Sequence, residues 1–248
     1  MTNPRNSGEQ PFISHLIELR NRLLKVVLCV LLVFIGTAVY ANDIYHYLAD
    51  PLLKHMPVGS TMIAIDVASP FFTPIKLAFV VAVFISVPFI LYQFWGFVAP
   101  GLYRNEKIMV LPLLLASTLL FYAGAAFAYF LVFPLVFGYL TAAAPEGVAV
   151  MTDIATYLDF VLSIFFAFGI SFQVPILTIV LVWTGIMTPA SLAEKRPYII
   201  VGVFTIAMFL TPPDALSQTL LAVPMWMLFE SGLLFSRFFV RKPELTEE

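Results

Sequence analysis

Two carboxylates stand where this sequence otherwise gathers positive charge. Glu18 lies in Ser14-His15-Leu16-Ile17-Glu18-Leu19-Arg20-Asn21-Arg22, and Glu106 lies in Pro100-Gly101-Leu102-Tyr103-Arg104-Asn105-Glu106-Lys107. An acid among bases has two uses. It can pair locally, as Glu18 would with Arg22 at i,i+4 for about 0.2–0.5 kcal/mol, or as a solvated loop acid beside Arg104 and Lys107. It can also be held ready for a cationic ligand, and two such acids say more together than either does alone. A third acid, Glu230, follows a long apolar run, where an ionised side chain is costly and is a functional candidate by default. Gln173 and Gln218 are the amides in comparable apolar surroundings.

Catalytic chemistry is not expected. There is no His-Glu-x-x-His pair, no Gly-x-Ser-x-Gly elbow and no phosphate-cradling glycine loop, and His15, His46 and His55 all fall outside the apolar stretches. The single cysteine, Cys29, rules out an intramolecular disulfide or a multi-thiolate metal site. Neither a metal nor a cofactor is expected, and the chain is read as a non-enzyme.

The elements that must position these groups are set by composition. Of 248 residues, 61% are hydrophobic and 11% charged, against about 45–50% and about 25% in an ordinary soluble domain. Apolar spans are expected near 23–41, 75–98, 109–138, 159–184, 198–211 and 215–235. Most approach the ~20 residues that cross a hydrocarbon core as a helix. Alternating ten-residue strands do not recur, which argues against a barrel. The fold class is therefore all-α, a polytopic membrane protein with six transmembrane helices. With both termini in the cytoplasm, eleven of the 13 basic residues fall inside and only Lys54 and Lys76 outside, as the positive-inside rule requires. One transmembrane domain over 1–248 is expected, with a cytoplasmic N-terminal region 1–22 and a cytoplasmic tail 236–248.

Several details sharpen this layout. The run from Ser14 reads as a short amphipathic helix at the inner surface, with Ser14 as its N-cap. Ile44, Tyr45, Tyr47, Leu48, Leu52 and Leu53 recur at helical spacing in the first outer loop, which predicts a surface helix there. The fifth span is hemmed between Pro197 and Pro212-Pro213, so its 14 or so residues reach only about 21 Å at 1.5 Å each. The sixth carries Gln218 and Glu230, so both are expected to be short, with bilayer thinning beside them. A weak repeat relates Asp66-Val67-Ala68-Ser69 to Asp153-Ile154-Ala155-Thr156, each 22 residues ahead of a proline, Pro88 or Pro175. It predicts two proline-kinked helices fed by similar outer segments.

Six segments then coincide in order: His15-Leu16-Ile17-Glu18-Leu19-Arg20, Asp66-Val67-Ala68-Ser69-Pro70-Phe71, Phe97-Val98-Ala99-Pro100-Gly101-Leu102-Tyr103, Phe121-Tyr122 to Phe133-Pro134, Lys195-Arg196-Pro197-Tyr198 and Leu210-Thr211-Pro212-Pro213-Asp214. Together they resemble the TatC family of the twin-arginine protein translocase over nearly the whole chain. The resemblance implies a core subunit in the bacterial cytoplasmic (inner) membrane that binds the twin-arginine signal peptides of folded precursors, with export powered by the proton-motive force. It implies that Glu18 and Glu106 face the paired arginines, with Arg20 and Phe97 beside them. It also implies that Met208, Thr211 and Gln218 dock single-span partners of the TatA and TatB type in an oligomeric complex. Planar guanidinium forks match carboxylates bidentately in a way lysine cannot. Gln173 departs from the family pattern, in which close relatives can carry glutamate. An amide there can hydrogen-bond but cannot titrate. Pro51 and Asp214 fall in matching outer segments and are assigned to packing and capping.

A reading of another class is an ion-coupled small-molecule secondary transporter, motivated by Glu230, Gln218, Gln173 and the proline-broken spans. Too few charges line a pathway to favour it.

Overall fold

The structure is a computed structural model that describes residues 9–53, 62–98, 110–142, 152–210 and 215–239. These are helical with no named strand. In order they form α1 (Glu9–Ala38), α2 (Ala41–Leu53), α3 (Ser69–Val98), α4 (Val110–Phe127), a π-helical turn (Ala128–Val132), α5 (Phe133–Ala142), α6 (Ile154–Ser171), α7 (Val174–Trp183), α8 (Pro189–Glu194), α9 (Arg196–Leu210), α10 (Ala215–Ser236) and a 3-10 turn (Arg237–Phe239). Five stretches are long and apolar enough to cross a membrane: His15–Ala38, Ser69–Val98, Leu111–Tyr139, Ile154–Trp183 and Ala215–Ser236. The chain packs as two compact units. One is Met1–Ile44 with Pro74–Thr118, and the other is Tyr45–Thr73 with Leu119–Glu248.

In the first unit α1 and α3 run antiparallel, because their contacts descend one helix as they climb the other. Thr37 Oγ1 donates to the Ala78 carbonyl at 2.9 Å, Phe34 meets Phe79 edge-on, and the Cys29 thiol lies 3.9 Å from Ser86 Oγ. Further along, Arg22 reaches Gln93 and His15 reaches Phe97. The Trp95 indole N–H donates to Ser117 Oγ at 3.0 Å, tying α3 to α4 through a buried bond. Of the apolar side chains described on α1, from position 15 onward, only Val30 is buried, while Leu24, Leu28, Leu32 and Ile35 are more than half exposed. In water that stripe would be unstable; in a bilayer it meets lipid tails as apolar as itself.

The second unit holds the main core, built from Phe133, Val136, Phe137, Tyr157, Val161, Ile164, Phe168, Ala207, Leu221, Ala222 and Met225. Small residues set how closely its helices approach. A Cβ on Gly124 would lie 2.7 Å from the Phe168 carbonyl oxygen, and one on Gly169 would lie 2.7 Å from the Phe121 ring. A Cβ on Gly232 of α10 would strike Thr178 Oγ1 and sit 2.6 Å from Pro175 Cα of α7. Packed against this core through Tyr45 and Leu48, α2 is the amphipathic helix expected over that stretch. The Tyr157 hydroxyl donates to the Leu48 carbonyl at 2.8 Å, and Tyr45 contacts the Met62 sulfur. Ile63 and Asp153 form an isolated parallel bridge. Asp153 caps α6 by accepting from the Thr156 N–H at 3.0 Å and also takes the Ile65 N–H at 3.2 Å.

Three expectations need correction. Helix α1 begins at Glu9 and runs unbroken to Ala38, so Ser14 is not its N-cap and the amphipathic segment is the first turns of the spanning helix. The two proline-bearing segments differ: α3 stays helical through Pro74 and Pro88, whereas α6 ends at Ser171 and Pro175 starts α7. The sixth span is not short, since α10 has 22 residues and passes through Pro224. Its polar residues are satisfied rather than excluded, because the Gln218 amide donates to the Phe204 carbonyl at 3.0 Å and Glu230 is ion-paired. The third apolar stretch contains the π turn just before Pro134. Proline has no N–H to continue an i→i−4 ladder, and the Phe133 N–H instead reaches the Ala128 carbonyl, five residues back. The fifth helix is short as expected, with 15 residues.

Candidate functional site

His15, Glu18 and Arg22 share one face of α1 through their i, i+3, i+7 spacing, and α3 meets that face with Gln93, Gly96 and Phe97. Arg22 Nε and Nη2 both donate to Glu18 Oε1, at 2.9 Å and 2.7 Å. Arg22 Nη1 donates to Gln93 Oε1 at 3.3 Å, and Gln93 is buried. A Cβ at position 96 would come within 2.6 Å of Arg22 Nη1, so Gly96 leaves the room that the guanidinium occupies. His15 stacks on Phe97 with ring centroids 4.2 Å apart and planes 21° from parallel.

The local i,i+4 pair weighed from the sequence therefore forms, but with unused capacity. Both bonds fall on Oε1, and Glu18 Oε2 has no partner among the described residues. The Glu18 side chain is 37% exposed. A carboxylate accepts through both oxygens, so a second guanidinium could be held at Oε2 without expelling Arg22. Arg20 points elsewhere, donating to Asn21 Oδ1 at 3.2 Å. The sequence-derived set is thus brought together at Glu18 and Phe97, with Arg20 exposed on the next turn. Glu106 lies outside the described residues. Sequence reasoning missed His15 and Gln93. The first could have been found from its place on the Glu18 face, while the second is 71 positions from Arg22 and left no local signal.

The polar residues of the second unit are placed differently. Glu230 accepts from Arg196 Nε at 2.7 Å and from Nη2 at 2.8 Å, one bond on each oxygen. The pair joins the start of α9 to the last part of α10. Met208 is 51% exposed on α9, and Gln218 uses its amide on the same helix's Phe204 carbonyl. Thr211 lies outside the described residues. Gln173 sits at the break between α6 and α7, where its N–H donates to the Ile170 carbonyl and its own carbonyl accepts from Leu177. Two groups beyond the spans are shifted. The Thr156 and Ile65 N–H groups hold the Asp153 carboxyl below its ordinary value. Burial, helped by the nearby Asp153 charge, pushes the Tyr45 phenol up to about 12. Among the described residues no cluster of His, Cys, Asp or Glu could hold a metal.

The chain matches the family "Sec-independent protein translocase protein (TatC)" over residues 14–224. It belongs to the TatC family. Among its relatives, the Sec-independent protein translocase protein TatC of Haemophilus influenzae is 60% identical over 235 residues, covering 95% of this chain and 92% of that one. TatC of Escherichia coli K12 is 59% identical over 239 residues, covering 96% and 93%. A solved structure described as the twin-arginine translocase receptor TatC superposes with a TM-score of 0.83 at 38% identity, covering 92% of this chain and all of that one. The all-helical fold, the membrane-spanning helices and the role as a component of the Sec-independent, twin-arginine translocase go with that membership. This TatC-family chain is accordingly a multi-pass protein of the bacterial inner membrane.

Proposed function

We propose that this chain is the subunit that receives twin-arginine signal peptides of folded precursors, binding the paired arginines at Glu18 and Glu106 with Arg20 and Phe97 alongside. The observation that carries the reading is the half-used carboxylate of Glu18. Arg22 and Gln93 fix its position, and one oxygen is left to accept. A guanidinium fork reaching it gains charge-assisted hydrogen bonds of about 1.5–3 kcal/mol each. A lysine ammonium, a point charge, loses the fork geometry.

In this proposal the chain spans the membrane six times with both termini cytoplasmic, as the distribution of Lys and Arg favours. The whole of 1–248 acts as one transmembrane domain, with region 1–22 and tail 236–248 at the inner face. Helix α9 is the fifth of these crossings despite its 15 residues, and at about 1.5 Å per residue it favours local thinning of the bilayer. Single-span partners of the TatA and TatB type dock around Met208, Thr211 and Gln218. The amide oxygen of Gln218 is the acceptor offered to them, and one of its two N–H donors is already engaged with Phe204. No nucleotide is used by this chain, and the drive is the transmembrane potential, ~2.3 kcal/mol per charge per 100 mV.

The test is photocrosslinking from positions 18, 97 and 106, in inner-membrane vesicles, to a twin-arginine precursor and its twin-lysine control. Adducts that form with the arginine signal and vanish with the lysine one are expected. No adduct from any of the three positions, in vesicles that contain the partners, sinks the site assignment.

A further inference from the structure

At the end of α10 a recess of about 300 Å³ opens between Arg196, Glu230, Ser231, Leu233, Leu234 and Arg237. This lies at the small end of the ~300–1,000 Å³ typical of ligand pockets. Its charge is unbalanced. Both oxygens of Glu230 face Arg196, so its single charge is matched there and the charge of Arg237 is left over. Arg237 is exposed and has no acidic partner among the described residues, and neither described ion pair includes it. The Ser231 hydroxyl donates to the Leu228 carbonyl at 2.7 Å, which leaves Arg196 Nη1 and the Arg237 guanidinium as the donors. Two guanidinium groups against one carboxylate make the recess suited to a single negative charge.

The rest of the wall says what that charge is attached to. Leu233 is buried as the floor, and Leu234 is 56% exposed at the mouth. From Leu234 an apolar stripe continues along α10 through Met227, seven residues back and 59% exposed, and Val223, 41% exposed. Tyr198 and Phe238, 74% and 80% exposed, sit in the sequence next to the two arginines, as aromatic residues do at a membrane interface. A soluble anion would have no use for such a stripe; a molecule with a charged head and apolar chains fits both parts.

We propose that the Arg196–Arg237 recess binds the phosphodiester headgroup of an anionic phospholipid, whose acyl chains lie along Leu234, Met227 and Val223. Basic recesses between transmembrane helices at a membrane surface favour such headgroups, with about 1 kcal/mol for each Lys or Arg near the surface. The role is independent of signal binding at Glu18, which lies in the other compact unit.

Native mass spectrometry of the detergent-purified full chain, offered phosphatidylglycerol or phosphatidylcholine at equal concentration, tests it. A phosphatidylglycerol adduct in clear excess is expected. Arg237→Gln should cut that excess about fivefold, the equivalent of one lost basic contact, with the thermal midpoint unchanged. If Arg237→Gln does not fold, Leu234→Trp, which blocks the mouth from an exposed position, should lower the adduct instead. Equal retention of the two lipids, an undiminished excess in the folded variants, or one-for-one displacement of the lipid by inorganic phosphate would each overturn the proposal.

Discussion

Glu18 and Glu230 each face an arginine, yet the two pairs are built for opposite ends. Arg22 is one turn along from Glu18 on α1 and lays two bonds on a single oxygen. Arg196 comes from a different helix, 34 residues away, and gives Glu230 one bond on each oxygen. The first pair costs little to open and, among the described residues, leaves Oε2 without a donor. The second engages both oxygens of its carboxylate and fastens α9 to α10. An acid in a membrane protein is therefore a candidate ligand site only once its acceptor capacity has been counted. In the proposed function Glu18, with one oxygen open among the described residues, is the binding group, whereas Glu230 is a clamp between two helices.

The comparison can be broken most forcefully at the clamp's packing. Gly232→Val pushes a side chain into Thr178 and Pro175 of α7, and overpacking of this kind costs about 1–3 kcal/mol. A large drop in the thermal midpoint of purified protein is expected, together with poor accumulation in the membrane. Next in size, Glu230→Gln leaves Arg196 with one weak acceptor and should lower the midpoint by roughly 5 °C, the scale on which a domain of this size reports lost interactions. Glu18→Gln should barely move it, because an exposed i,i+4 pair contributes only about 0.2–0.5 kcal/mol. If the two substitutions destabilise equally, the distinction between clamp and binding group fails.

Smaller effects sharpen the same contrast. Arg22→Gln removes the group that holds Glu18 in place and should lower the affinity for a twin-arginine signal peptide about two- to threefold, in line with loss of a pair worth ~0.5 kcal/mol. Calorimetric titration measures it, and a gain in affinity would mean that Arg22 competes for Glu18 rather than orienting it. The smallest change concerns Asp153. Its folded-state carboxyl is held below the ordinary value, so its contribution is fully present above the unfolded pKa of about 3.9 and is lost as pH falls through the lower folded value. Asn caps a helix as well as Asp does. Asp153→Asn should therefore match the parent near neutrality and lack this component of acid destabilisation, as melting curves between pH 3 and pH 7 would reveal.

Much of this was legible in the sequence, and what was not has physical causes. Hydrophobic runs located five long apolar helices and the spacing of Ile44, Tyr45 and Leu48 located helix α2, because burial leaves a periodic record. The Glu18–Arg22 pair was legible for the same reason, being one helical turn. Arg196–Glu230 and Arg22–Gln93 were not, since contacts between helices carry no local spacing. Proline proved ambiguous: Pro88 and Pro224 stay within helices, while Pro175 opens one. What decides is whether neighbouring groups re-satisfy the freed carbonyls, and that depends on packing. The polar side chains of α10 misled for a related reason. Gln218 and Glu230 read as marks of a shortened span, but Phe204 and Arg196 supply their partners.

The central claim is that Glu18 reads arginine rather than positive charge in general. A double-mutant cycle tests it directly: purified full chain with Glu18 or Glu18→Gln, titrated with twin-arginine and twin-lysine forms of one signal peptide. The account predicts that Glu18→Gln weakens the arginine peptide about tenfold, the loss of one charge-assisted bond, and leaves the lysine peptide nearly unchanged. Equal weakening of both peptides, or of neither, would contradict it.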